Sequence, residues 1–221
     1  MPTSTVEDYL KCILVEEQRN PGSLVTMGQV SSALAVAPGT VTAMVKTLAD
    51  SGLVTYEPYS GVRLTPQGRQ LAAHVLRRHR LVELFLVQVM GMDWSEVHPE
   101  AERLEHAVSD RLIERMDEML GHPAVDPHGD PIPDAHGRVE EPVLPSLAVC
   151  PLGALVQVAR VGDQSREFLL LVERRRLKPG SRLAVESRDE AADTVDLRLE
   201  SGERLSLGYR AASKILVEPR P

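Results

Sequence analysis

The sequence predicts a mainly α-helical fold with a smaller β component, on three observations. Up to about residue 120, apolar residues recur mostly at helical spacing. The stretch from Gly121 to Pro145 holds six prolines and three glycines, which cannot continue a helix and are typical of a linker. After it come short apolar runs separated by turn residues, the pattern of a small β-barrel. These runs predict strands at 154–161, 168–173, 182–186, 194–199 and 204–207.

The N-terminal elements follow the order of a winged helix-turn-helix. A first helix begins at Ser4 or Thr5, because either residue can cap it, and Asn20-Pro21-Gly22 ends it. Gly52 follows the third predicted helix, as is typical of a glycine after the last turn of a helix. Thr65 and Pro66 begin a longer helix that reaches about residue 89. Between the first helix and this longer helix, the sequence predicts helices near 27–34 and 40–51 and a hairpin of 53–56 and 61–64.

In this fold the second helix of the helix-turn-helix enters the major groove of DNA, and the hairpin wing contacts phosphates. A winged helix used for protein contacts is the alternative. Because Lys46 is the one basic residue on the recognition helix, we expect modest non-specific affinity and a shallow salt dependence. The candidate DNA-binding residues are Pro38, Gly39, Thr40, Thr42 and Lys46 on this helix and Tyr59, Ser60 and Arg63 on the wing.

Composition bounds the class of protein. The 221 residues are 43 % hydrophobic and 26 % charged, which is ordinary for a soluble globular protein. No apolar stretch approaches the roughly 18 residues of a membrane span, and the first residues lack the features of a secretory signal. Two cysteines, Cys12 and Cys150, cannot build a disulfide framework. We therefore expect a cytoplasmic protein.

The net charge of −7 hides a strong asymmetry along the chain. Residues 1–80 carry 8 basic and 6 acidic side chains, and residues 146–221 carry 13 and 11. Residues 81–145 carry 4 basic and 15 acidic side chains, so all the excess negative charge lies there. Such a segment is either solvated surface or a cation site, and the spacing of its residues has to decide.

The spacing is compatible with a cation site. A helix predicted from Asp93 to about Val108 has imidazole and carboxylate groups on a common face, which suits a divalent metal. The oxygen-rich composition favours Mn²⁺ or Fe²⁺ over structural zinc. Solvated ion pairs are the alternative, and we predict no role for the linker histidines His122, His128 and His136. The chelating residues are His98, Glu102, Glu105 and His106 on this helix and His79 and Glu83 on the preceding one.

With these motifs, the whole chain resembles the diphtheria-toxin-repressor family of metal-dependent regulators. The resemblance rests on the winged helix, on residues 77–83 (RRHRLVE), on Glu105-His106 and on residues 126–133 (DPHGDPIP). It implies four segments: a winged helix-turn-helix DNA-binding domain (1–73), a helical metal-binding and dimerisation domain (74–122), a Pro-rich linker (123–146) and an SH3-like, FeoA-like domain (147–221).

The resemblance also implies two metal sites. Asp8 and Glu102 stand where the iron-sensing branch has sulfur ligands, so the primary site is of the manganese-sensing type. Lys11 departs from that branch, which has a second acid at this position. Asp163 is an alternative ligand in the C-terminal domain. By position, the primary site is Asp8, Glu102, Glu105 and His106, and the ancillary site is His79, Glu83, His98, Gln164 and Glu167.

The function implied is that of a homodimeric transcriptional repressor. It binds palindromic double-stranded operator DNA when loaded with Mn(II), or with Fe(II), and controls genes of metal-ion homeostasis. We expect it to bind no organic cofactor and no membrane. A winged-helix regulator that responds to a non-metal small ligand is the alternative, and a metal-buffering protein without DNA affinity is another. No catalytic residues are predicted, because the chain lacks a His-Glu-x-x-His helix and a nucleophile beside a base.

Overall fold

The computed structural model describes residues 3–139 and 142–220, which divide into two compact units. The first unit contains the described residues of Met1–Val82, Glu102–Met116 and Ile132–Glu141. The second contains those of Glu83–Ala101, Asp117–Pro131 and Pro142–Pro221. Each unit has its own apolar core.

The first unit begins with the predicted winged helix-turn-helix. Three helices come first, and an antiparallel hairpin follows in which Val54 lies opposite Leu64 and Glu57 opposite Gly61. The elements are α1 (Ser4–Arg19), α2 (Met27–Leu34), α3 (Pro38–Asp50), β1 (Val54–Glu57) and β2 (Gly61–Leu64).

Local sequence explains where these helices begin. The Thr3 hydroxyl accepts a hydrogen bond from the Val6 N–H at the start of α1. Thr26 and Gln29 form a reciprocal capping box on α2. Pro38 occupies the first turn of α3, where its missing N–H needs no partner, so α3 begins two residues earlier than predicted.

A single apolar core connects α1 to the recognition helix α3. Helix α1 packs against α2, and α2 packs against α3, with the hairpin closing one side. The side chains of α1, α2 and α3 thus belong to one close-packed core. The fully buried members are Leu10, Ile13, Val30, Val41, Val45 and Val62.

Three further helices follow the wing: α4 (Pro66–Gln88), α5 (His98–Leu104) and α6 (Asp110–Met119). The helix predicted from Asp93 to Val108 is wrong at both ends, because residues 94–96 and 105–107 are turns. At the first end, the Asp93 carboxylate accepts hydrogen bonds from the N–H and hydroxyl of Ser95, a local alternative to a helical turn. At the second, the N–H groups of Ala107 and Val108 both donate to the Leu104 carbonyl.

The second unit contains a five-stranded antiparallel sheet in the order β6-β5-β4-β3-β7. Its inward side chains, including Val158, Leu183 and Leu197, form the core with Trp94 and with apolar residues of α7. The elements are β3 (Leu155–Val161), α7 (Arg166–Arg174), β4 (Arg182–Asp189), β5 (Thr194–Leu199), β6 (Arg204–Gly208), α8 (Tyr209–Ala212) and β7 (Ile215–Pro219).

The strand predicted at 168–173 is wrong, because these residues lie in α7. Phe168, Leu169 and Val172 are the buried residues of α7, and their spacing of one and four positions is helical. A short apolar run does not distinguish a buried strand from a buried helix. The strand β7 was not predicted from the sequence.

Among the described residues, no single helix has the length and hydropathy to cross a membrane. Helices α2 and α3 meet the same criteria only when taken as a pair, with a bend of 110° between them.

Candidate metal centre

The first cluster of ligand atoms lies between α1 and the turn that follows α5. One ligand atom from each of Asp8, Glu105 and His106 lies within 4.8 Å of the other two. His106 Nε2 is 2.8 Å from Asp8 Oδ1 and 3.3 Å from Glu105 Oε1. Glu105 is fully buried, so its carboxylate charge lies away from bulk water. Burial also raises the pKa of Asp8, against the lowering effect of His106.

Glu7 orients the His106 ring. His106 Nδ1 lies 2.7 Å from Glu7 Oε2, while Nε2 faces Asp8 and Glu105. Burial lowers the pKa of His106, but the hydrogen bond that its ring donates to Glu7 and the charges of Glu105 and Asp8 outweigh this effect, so the pKa is raised. A histidine ligand of a metal is held in this way, with a carboxylate fixing the ring nitrogen that does not bind the ion.

Glu105 also belongs to a second group, with His79 and Glu102, whose ligand atoms lie within 4.8 Å of one another. His79 Nδ1 is 2.5 Å from Glu105 Oε2. The Lys11 ammonium donates to Glu102 Oε1 at 2.7 Å and to Glu105 Oε1 at 2.6 Å. His79, which the resemblance assigns to the ancillary site, therefore contacts a residue of the primary set.

The charged side chains of this group shift one another's pKa values. Desolvation lowers the pKa of Lys11, but the carboxylates of Glu105 and Glu102 outweigh it and raise the pKa. Burial raises the pKa of Glu105, but the hydrogen bond and charge of His79, together with Lys11, outweigh it and lower the pKa. Glu105 is therefore a buried carboxylate that positive groups hold in its charged form.

In the second unit, Glu83 lies at the centre of another cluster. His98 Nδ1 is 2.9 Å from Glu83 Oε1, which brings together two residues of the predicted ancillary set. Glu83 also belongs to a group with Asp126 and His128, all three buried, whose ligand atoms lie within 4.8 Å of one another. Asp126 and His128 were not among the predicted ligands, and His128 was expected to have no role, because both lie in the stretch interpreted as a linker.

Local hydrogen bonds fix the His128 ring. The Asp126 Oδ1 atom accepts from the N–H groups of His128, at 2.8 Å, and Asp130, at 3.0 Å. His128 Nε2 donates to the Trp94 carbonyl at 2.9 Å, which leaves Nδ1 to face Glu83 Oε2 at 3.7 Å. Within the described parts of the chain, this fully buried Nδ1 has no hydrogen-bond partner. The arrangement fits a metal ligand whose second nitrogen is held by a backbone carbonyl.

The spacing Asp126-Pro127-His128-Gly129-Asp130 is a signal that could have located this loop from sequence, because Asp before such a turn bonds the backbone two residues later. Gly129 has φ +88°, and a Cβ there would lie 1.9 Å from the Ala159 carbonyl oxygen, so only glycine fits.

The other predicted ancillary ligands have different partners. The Gln164 amide donates to Asp130 Oδ2 at 2.7 Å. Glu167 is exposed in the first turn of α7 and belongs to none of the converging His, Cys, Asp and Glu groups that the described residues form. The alternative ligand Asp163 accepts from Lys214 at 2.5 Å and from the Ser165 N–H at 2.8 Å. None of the three extends the Glu83 cluster.

The predicted DNA-binding residues lie on the exposed side of α3 and on the wing. Thr40 and Lys46 are exposed, whereas Thr42 is half-buried and its hydroxyl donates to the Pro38 carbonyl. Tyr59 is fully exposed at φ +66° in the wing turn. Gly39 is exposed at the start of α3, and Ser60 is exposed next to Tyr59 in the wing turn. Arg63 on β2 donates to the Gly22 carbonyl at 3.0 Å.

Family comparisons match the three parts of the chain separately. Residues 1–62 match the iron dependent repressor N-terminal DNA binding domain. Residues 65–134 match the iron dependent repressor metal binding and dimerisation domain, and residues 146–219 match the FeoA domain. These matches confirm the predicted fold class, with an SH3-like domain at the C-terminus.

One relative and two solved structures cover nearly the whole chain, and a second relative covers about half of it. The iron-dependent repressor IdeR of Mycobacterium tuberculosis is 30 % identical over 229 residues, covering 97 % of this chain and 96 % of its own. The transcriptional regulator MntR of Geobacillus kaustophilus is 34 % identical over 54 % of this chain and 83 % of its own. A manganese-dependent transcriptional repressor solved with manganese is 39 % identical, with a TM-score of 0.89, covering 97 % of this chain and all of its own.

The structure of the manganese regulator SloR is 32 % identical and matches both chains over their full length with a TM-score of 0.78. On this similarity and on the domain matches, the chain belongs to the iron-dependent, or diphtheria-toxin, repressor family.

Proposed function

We propose that this protein is a metal-dependent transcriptional repressor. As a homodimer in the cytoplasm, it binds palindromic operator DNA when it holds Mn²⁺, with Fe²⁺ as the alternative effector, and it controls genes of metal-ion homeostasis. The observation that carries the proposal is the convergence of Asp8, on the first helix of the DNA-binding domain, with Glu105 and His106 after α5. One cluster thus joins the DNA-binding helices to the metal-binding segment.

The donor set supports manganese. Asp8, Glu102 and Glu105 offer carboxylate oxygens, and His106 offers one imidazole nitrogen. Hard oxygen ligands with imidazole suit Mn²⁺ and Fe²⁺, and the absence of a thiolate or thioether among these four residues lowers the preference for softer ions. The comparison with a manganese-dependent repressor solved with manganese supports the same choice.

The primary site couples to the recognition helix through α1. Without metal, the carboxylates of Asp8 and Glu105 repel each other, and the contact of the partly exposed Asp8 side chain with His106 Nε2 opposes that repulsion. A divalent cation would neutralise these charges and add bonds from both segments. Because α1 packs on α2 and α2 on α3, holding Asp8 in place restricts the position of α3. We expect a coupling free energy of about 1–3 kcal/mol between metal and DNA.

In this mechanism, Thr40, Thr42 and Lys46 read the major groove of each half-site, while Pro38 and Gly39 allow the start of α3 to approach the backbone closely. On the wing, Tyr59, Ser60 and Arg63 contact phosphates. Two recognition helices related by a two-fold axis would require half-sites about 34 Å apart, or a multiple of that distance.

A second metal site is proposed in the second unit. Glu83 and His98 remain its ligands, and the buried pair Asp126 and His128 is added to the set that the resemblance implies. His79, a residue of the first unit, remains an ancillary ligand predicted from the resemblance. Gln164 and Glu167 remain predictions from the resemblance.

The comparisons favour this function over the alternatives. The relatives and structures are described as metal-dependent repressors, not as regulators of an organic ligand, and the family consists of DNA-binding regulators rather than enzymes. These descriptions, together with the clusters above, favour the repressor over the non-metal regulator and the buffering protein.

The test is a selection from random duplex DNA by chelator-stripped protein supplied with Mn²⁺, Fe²⁺ under anaerobic conditions, or Zn²⁺. We expect enrichment of a palindrome with metal and none with chelator, and Mn²⁺ should act at the lowest concentration. Glu105→Gln should lose the metal-dependent enrichment. The matched control Glu114→Gln, at an exposed carboxylate on α6, should keep it. Equal enrichment with and without metal would overturn the proposal.

A further inference from the structure

The candidate metal centre contains two adjacent positions that share one carboxylate. One group is formed by Asp8, Glu105 and His106 and the other by His79, Glu102 and Glu105, so Glu105 belongs to both. A carboxylate shared between two such sets is the arrangement that bridges the paired ions of a two-metal site, which lie about 3.5–4 Å apart. By its donor atoms alone, the centre has ligands for two cations.

The second position already contains a positive charge. The Lys11 ammonium lies 2.7 Å from Glu102 Oε1 and 2.6 Å from Glu105 Oε1, and the lysine residue is only 9 % exposed. Lysine is almost never buried unless it is paired, and here both partners are candidate metal ligands on a different segment. The sequence places Lys11 three residues after Asp8, on the same helix.

We infer that Lys11 is a built-in cation that takes the place of a second divalent ion beside His79, Glu102 and Glu105. The primary centre therefore accepts one metal ion per protomer, on the side of Asp8 and His106. This inference rests on the proposed function, because it concerns the metal site through which that function acts.

The ammonium has two effects on the remaining position. It neutralises part of the charge of Glu102 and Glu105 in the absence of metal, which keeps the carboxylates together. It also repels a divalent ion bound to the same Glu105, which weakens metal binding. Removal of the charge with Lys11→Met should therefore tighten Mn²⁺ binding by about tenfold or more, because positive charges a few ångströms apart in a buried site repel each other with little screening.

The direct test replaces the cation with a ligand. In Lys11→Glu, we expect one additional Mn²⁺ ion per protomer in equilibrium dialysis with metal analysis. The two ions of the primary centre would be spin-coupled, so the six-line electron paramagnetic resonance signal of isolated Mn²⁺ would be lost from that fraction. The matched control is Arg19→Glu, which makes the same charge change on the exposed end of α1, where Arg19 bonds Glu16. Arg19→Glu should bind the same number of ions as the parent protein.

Two results would overturn the inference: a coupled Mn²⁺ pair in the parent protein, or a folded Lys11→Glu variant that binds no additional ion. Circular dichroism checks the folding of each variant. If Lys11→Glu does not fold, the parent spectrum and the affinity of Lys11→Met decide, and unchanged or weaker Mn²⁺ binding by Lys11→Met contradicts the inference. Failure of the proposed function is recognised separately, since the parent protein would then bind DNA equally with and without Mn²⁺, whatever its ion count.

Discussion

Removal of the Glu105 charge tests the centre at its most buried point. Glu105→Gln keeps the size of the side chain but leaves Lys11 with Glu102 alone, whose side chain is 37 % exposed. Removal of one partner of a buried ion pair costs about 3–5 kcal/mol. Because Glu102 Oε1, 2.7 Å from the Lys11 ammonium, retains part of the pairing, we expect a loss of about 2 kcal/mol. The free energy of unfolding without metal should therefore fall by that amount, measured by urea denaturation with chelator.

The same variant should lose most of its stabilisation by Mn²⁺. At a free Mn²⁺ concentration 100 times the parent Kd, binding at one site adds about 2.7 kcal/mol to the free energy of unfolding. If Glu105→Gln weakens this site 100-fold, the gain is about 0.4 kcal/mol, so the variant responds less by about 2.3 kcal/mol. The Glu83 cluster is the same in both proteins, so the difference isolates the primary site. An undiminished response to Mn²⁺ in Glu105→Gln would refute the role of Glu105 as a ligand.

Four further predictions concern single side chains. Asp8→Met should shift metal-dependent DNA binding toward Fe²⁺, because a thioether is a softer donor; an unchanged ranking of Mn²⁺ and Fe²⁺ would contradict the role of Asp8. Glu7→Gln should weaken Mn²⁺ binding about 10–100-fold through the orientation of His106, as measured by competition with a fluorescent chelator. Tyr59→Gly should raise the free energy of unfolding by about 1 kcal/mol, because the residue has a positive φ, while weakening DNA binding in a mobility-shift titration. Burial and the nearby Glu16 carboxylate raise the pKa of Cys12 to about 12. The native thiol should therefore resist alkylation up to about pH 10 and react as the pH approaches its pKa. Rapid labelling of the native protein at about pH 8 would contradict this.

Where local signals and long-range packing agree, the sequence predicted the structure closely. The capping residue Thr65, the glycine after α3 and the hairpin turn each act within a few residues, so the end of α3, the start of α4 and the wing were predicted within a residue or two. The fold class followed from these elements and from the strands of the C-terminal domain.

The errors have a common physical origin in short segments. Residues 166–174 form a helix although their apolar run was interpreted as a strand, because packing on the sheet decides between two structures that the run permits. The helix expected over residues 93–108 is shortened by turns, and these turns place Glu105 and His106 after the helix rather than on its face.

The candidate site was only partly accessible from sequence. Spacing on one predicted helix made Glu102, Glu105 and His106 candidates, but Asp8, which contacts His106 from about a hundred positions away, was added by the family resemblance. Asp126 and His128 were missed because a proline-rich composition indicates a linker and carries no information about burial. The position of Lys11 in the sequence marked a departure from the manganese-sensing branch, and only the structure shows its ammonium between two carboxylates.

The central claim is that metal at the Asp8, Glu105 and His106 cluster and DNA at α3 bind with a shared coupling free energy. The most direct measurement is the Mn²⁺ affinity of the protein with and without a saturating duplex chosen by the selection above. We predict that the duplex tightens Mn²⁺ binding by the same factor by which Mn²⁺ tightens duplex binding, about 5–150-fold, because coupling between two ligands is reciprocal. Identical Mn²⁺ affinities with and without the duplex would contradict the account.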